Sequence, residues 1–249
     1  MRAWICVLTF SIILASTPVP ADSSATNVSM ETYEGHQILT SKQLTESQNT
    51  EVRKAIDWIR WELFYIKNVF PEVSYKAIEK TRIVLTSENP KLPKIAYHPK
   101  IEWLTSNGFS QAEAKLFEKA IVISDLKNFA ISREFQKFMI LHEMAHAVFF
   151  AKLTDDKFKK IQSLFEKAKT KGLYKKVLHY NGFKLQSYAY SDLAEYFAEG
   201  SESYFGLNDF FPFNRAELKN YDPELFSFLV ETWGDQKSYY FQFLKKYKK

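Results

Sequence analysis

Cysteine is almost absent from this chain. The 249 residues include one, Cys6, and it lies within the first 21, "MRAWICVLTFSIILASTPVPA". That stretch carries Arg2, then a mostly apolar run from Ala3 to Ala15, then Val19 and Ala21, both small enough to flank a cleavage site. It reads as a secretory signal peptide removed after Ala21, which places the mature protein in the periplasm or outside the cell. The apolar run is short for a span of about 20 residues, so no stable membrane span is expected after cleavage. A chain beginning at residue 22 then has neither thiol nor disulfide. Its stability has to come from its core or from a metal.

Other features are missing too. No internal repeat is visible, and no alternation of basic and aromatic residues argues for nucleic acid. The formal charge is +5, with Lys concentrated in 152–176 and 244–249, and it reads as solvated charge. Nothing indicates an oligomeric state. From Asp22 to about Thr50 the chain is rich in Ser, Thr, Gln and Glu with little periodicity, as in a flexible leader. Residues 51–249 suffice for one domain.

Within that domain, Ile56, Ile59, Leu63 and Ile66 predict a helix over 51–70. Short β-rich runs follow at 82–87, 94–99 and 119–125. Ser110 and Glu113 form a capping-box pattern between the last two. Further helices are expected from about Ser132 to Lys152, from Thr154 to Gly172, over 191–206, and after Asp222-Pro223. Strands grouped before helices indicate an α+β domain. The run 119–125 is expected to be a sheet edge able to pair with an extended peptide.

Histidine is scarce as well, at five residues, yet "FMILHEMAHAVFFAK" (138–152) places two of them four apart. Positions i and i+4 share one helix face, so His142 and His146 point the same way. Glu143, beside that face, is placed to act on a water without binding the metal itself. This is the HExxH pattern of two zinc ligands and a general base. The surrounding residues are apolar almost all round, as in a buried helix, and an unpartnered Glu143 there costs several kcal/mol. Catalytic zinc usually keeps three protein ligands. His36, His98 and His179 are isolated in sequence. The helix at 191–206 instead offers Glu195, Glu199 and Glu202, carboxylates that repel unless a cation lies near.

"HEMAH" followed 49 residues later by "EYFAE" resembles the gluzincins, HExxH zinc metallopeptidases whose third ligand is a glutamate on a later helix. The long gap and the aromatic Glu-x-x-x-Glu pair are most similar to the anthrax lethal factor-like peptidases and the secreted Pro-Pro endopeptidases. "YHP…WLTSNG" and "YFGLNDFFPF" also look like related secreted bacterial metallopeptidases. The resemblance implies a zincin-like fold, a small mixed sheet packed on the HExxH helix with a mostly helical C-terminal part. It implies Zn²⁺ held by His142, His146 and Glu195, with Glu143 as general base. It assigns Glu199 to support a ligand histidine, His142 first, and Tyr188 to donate to the oxyanion; Tyr190 and Tyr180 compete for that role. The expected function is hydrolysis of a peptide or protein substrate. A zinc-stabilised interaction protein without turnover and a zinc hydrolase of a non-peptide amide are the alternatives.

Overall fold

The computed structural model describes residues 28–235. The expected signal peptide and the basic tail at 244–249 lie outside these residues. The fold is mixed α+β. A hairpin of β1 (Val28–Tyr33) and β2 (His36–Ser41) leads into α1 (Lys42–Ser47), α2 (Asn49–Val69) and α3 (Glu72–Ile78). Then come β3 (Arg82–Leu85), β4 (Ile95–His98), α4 (Ile101–Ser106), α5 (Gln111–Phe117) and β5 (Ala120–Ile123). The rest is mostly helical: α6 (Leu126–Ser132), α7 (Met139–Ala151), α8 (Asp155–Thr170), α9 (Leu193–Phe205), α10 (Arg215–Tyr221) and α11 (Pro223–Trp233). Between α8 and α9 lie a small hairpin, β6 (Val177–Leu178) with β7 (Lys184–Leu185), and a 3-10 turn at Tyr188–Tyr190. No helix among the described residues is long and apolar enough to cross a membrane.

The main sheet runs β1-β2-β3-β5-β4, with β2, β3 and β5 parallel and both outer strands antiparallel to their neighbours. Two expectations need correction. Residues 28–41, read as part of a flexible leader, form the hairpin; Ile38 and Leu39 are buried on opposite faces of the sheet, which outweighs the polar composition around them. The run 119–125 does not supply an edge. Its core, "AIVI", is buried at all four positions between β3 and β4, as befits an interior strand covered on both faces. The edge is β4.

Alternation along the strands makes two apolar layers. Ile83, Leu85, Ile121 and Ile123 face the main core with α2, α7 and α9, whereas Val84, Ala120 and Val122 face a smaller cluster with Leu104, Phe109 and Phe117. Local signals hold where they depend on neighbours in sequence: the Ser110–Glu113 capping box, the Thr154 cap and the Asp222-Pro223 start all form. The HExxH helix is shorter than expected. It begins at Met139 rather than near Ser132, because α6 ends first and 133–138 form the connection.

A close approach fixes the end of α9 on the start of α7. A Cβ on Gly206 would lie 2.5 Å from Cδ2 and 2.7 Å from Cγ of Phe138. That ring is packed by Trp61 and Tyr65 and has little room to turn. Gly206→Ala is expected to cost about 1–3 kcal/mol, read as a fall in the unfolding midpoint. An unchanged midpoint would show that the two helix ends are not tightly joined.

Candidate metal centre

Helix α7 is apolar on almost every face, so burial rather than amphipathicity holds it, and eleven of its residues from Met139 to Phe149 are buried. Helix α9 crosses against it. Asp192 caps α9; its carboxylate accepts the amides of Ala194 and of Glu195 at 3.0 Å, which sets the backbone from which Glu195 projects. His142, His146 and Glu195 converge. The two imidazole Nε2 atoms are 3.2 Å apart. Glu195 Oε2 is 3.3 Å from His142 Nε2, and its Oε1 is 3.3 Å from His146 Nε2.

These three separations test whether the residues suit zinc. Ligand atoms at about 2.0–2.2 Å on tetrahedral corners lie about 3.3–3.6 Å from one another. The two imidazoles and the carboxylate lie close to these spacings, Glu195 presenting a different oxygen to each ring, and the donor set is the nitrogen and oxygen chemistry zinc takes. The charges agree with the geometry. Burial alone lowers the basicity of His142, but bonds and charges from Glu195 and Glu202 outweigh it and hold the imidazole well above its ordinary range. For Glu195 burial works upward, and the two imidazoles overcome it to hold the carboxyl far below the usual range. In the protein alone these lone pairs face each other through shared protons, which a cation would displace.

One sequence assignment moves. The carboxylate that accepts from His142 Nδ1 is Glu202, at 3.1 Å, not Glu199, whose nearer oxygen is 3.8 Å away. On α9, Glu202 lies only about 20° around the axis from Glu195 and Glu199 about 40°, so Glu202 is the better aligned with the ring that Glu195 also meets. The bond fixes the His142 tautomer and turns Nε2 toward Glu195 and His146. Glu199 does different work. Its Oε2 accepts from Ser187 Oγ at 3.2 Å and from Asn208 Nδ2 at 3.0 Å, tying down the turn that carries Tyr188 and the loop after α9. Burial pushes Glu199 up to about 8 and Glu202 up to about 7.

Glu143 is buried, and its Oε2 accepts the backbone N–H of Tyr97 at 2.6 Å. Ser124 N–H bonds to Lys94 C=O and Lys119 N–H to His98 C=O, so the even-numbered residues of β4 turn to β5. Ile95 and Tyr97 therefore point their backbone outward, at the free edge, and Glu143 docks on that edge.

The tyrosines separate clearly. Tyr188 is 60 % exposed, its ring edge-on to Phe210, and its hydroxyl makes no hydrogen bond among the described residues. Tyr190 lies under the Lys169 amine and packs on the core, while Tyr180 stacks on Phe135. The other histidines serve elsewhere. His36 bonds Thr81 C=O, His98 is buried against Trp103 with its basicity pushed down to about 4 by burial, and His179 faces Asp209.

Sequence reasoning counted Glu202 among the clustered carboxylates without pairing it to His142, and gave no role to Ser187, Asn208 or Glu62. Glu62 alone had a readable signal, a carboxylate among Ile59, Leu63 and Ile66 on the apolar stripe of α2.

No family model, curated protein or solved structure matches this chain.

Proposed function

We propose that this is a secreted zinc metallopeptidase with a zincin-like domain, hydrolysing peptide bonds in peptides or proteins. One observation carries the reading: two buried imidazoles and a half-buried carboxylate converge at close to zinc-ligand spacing, with a buried glutamate beside them docked on the free edge of a sheet. His142, His146 and Glu195 would hold the zinc, with Glu202 orienting His142. When bound, the metal supplies Lewis acidity, acidifying a water and polarising a carbonyl.

The protein groups divide the remaining work. Glu143 Oε2 is held by Tyr97 N–H, which leaves Oε1 to take the proton from the attacking water and pass it to the leaving amine. Tyr188, exposed and with a hydroxyl that bonds to no described residue, donates to the oxygen on which charge develops. The outward carbonyls of Ile95 and Tyr97 suit an extended peptide added to the sheet edge, which keeps the edge-pairing expectation and moves it from β5 to β4. The apolar N-terminal run supports export.

The test is metal analysis together with cleavage of a mixed peptide library. Purified mature protein is expected to bind one zinc per chain and to cut peptides, with chelation abolishing both. Zinc without cleavage would leave an interaction protein or a hydrolase of other amides. Absence of zinc binding would end the reading.

A further inference from the structure

Helix α7 begins without a local cap. Phe138 occupies the N-cap position and offers no side-chain acceptor, and the first bond of the helix runs from His142 N–H to Phe138 C=O. The amides of Met139, Ile140 and Leu141 therefore have no partner within the helix. Glu62 reaches them from α2. It is fully buried, and its Oε1 accepts Leu141 N–H at 2.8 Å. Its Oε2 accepts from Arg133 Nη1 at 2.5 Å. Arg133 is buried too, its guanidinium about equally far from the rings of Trp58 and Trp61, at 5.2 Å from each.

A buried ion pair is weak grounds for a role in stability, because desolvation offsets most of its attraction. Its location suggests another use. Leu141 directly precedes His142, so the bond from Glu62 fixes the backbone that carries the first ligand and also places a carboxylate at the positive end of the helix dipole. Metal ligands have to be held within about 0.5 Å to bind well. Glu202 sets the rotation of the His142 ring from one side; Glu62 sets the depth of the helix from the other.

We propose that Glu62, held in place by Arg133, is a positioning residue that caps the HExxH helix from a distance and sets the height of His142 in the metal centre. The inference rests on the zinc reading above.

Two double variants separate positioning from stability. Glu62→Leu with Arg133→Met replaces the ion pair by apolar groups, which is often neutral for stability, but leaves Leu141 N–H without an acceptor. Glu62→Gln with Arg133→Met is just as free of charge and keeps a carbonyl for that amide. Zinc affinity is read by competition with a chromophoric chelator, and stability by thermal unfolding of the metal-free proteins. The leucine pair is expected to bind zinc about 10–100-fold more weakly than wild type. The glutamine pair is expected to stay close to wild type in zinc affinity, and the leucine pair to unfold at a somewhat lower temperature because of its unpaired buried amide. Equal zinc affinity in the two pairs would overturn the role of Glu62 while leaving the metal centre in place. Failure of the wild type to bind zinc would instead overturn the metal reading and this inference with it. Should the leucine pair not fold, Glu62→Met with Arg133→Leu provides the same comparison.

Discussion

Glu143→Gln is expected to keep its zinc and its fold while turnover falls about 10²–10⁴-fold, the contribution of a positioned general base. The substitution suits the site because Gln has the same length and retains a carbonyl oxygen for the Tyr97 N–H that now bonds Glu143 at 2.6 Å. What it loses is the ability to take a proton. Metal content, thermal unfolding and kcat measured on one preparation separate these effects. Unchanged turnover would remove Glu143 from the chemistry. Loss of zinc would show that it helps to hold the metal, contrary to its place beside the ligand triangle.

The second large effect belongs to Tyr188. Tyr188→Phe keeps the ring that meets Phe210 and removes a hydroxyl that bonds to no described residue, so fold and metal content are expected to persist. If the hydroxyl donates to the developing oxyanion, its loss lowers turnover by about 10²–10³-fold. The change appears in kcat more than in KM, since the bond exists only in the transition state. Tyr190→Phe is the control, because that ring packs on the core beneath Lys169. A fully active Tyr188→Phe variant, or a damaging Tyr190→Phe, would show that the resemblance picks out the wrong hydroxyl.

The Tyr188 turn depends on Glu199 through Ser187. Disturbing Glu199 is therefore expected to act through the position of Tyr188 as well as through charge near His142. The two buried glutamates of α9 beyond Glu195 thus serve different neighbours, one the imidazole and the other the turn.

Whatever depends on a single element was legible in the sequence alone. The i, i+4 spacing puts His142 and His146 on one face of any helix. The unbroken apolar surround buries that helix, and the carboxylates of α9 follow one side by the same period. Caps at Ser110, Thr154 and Asp222 are equally local, each a side chain meeting the amide three residues on. Choices between elements were out of reach, because a period says which residues share a face and not which residue on that face meets a neighbour. That Glu202 rather than Glu199 reaches His142 follows from how α9 lies across α7. That β4 is the edge follows from pairing order, which four-residue strands of similar composition do not encode. The hairpin at 28–41 forms because β3 offers it a parallel partner. Glu62 meets Leu141 across 79 residues of chain, and only the packing of α2 on α7 brings the two together.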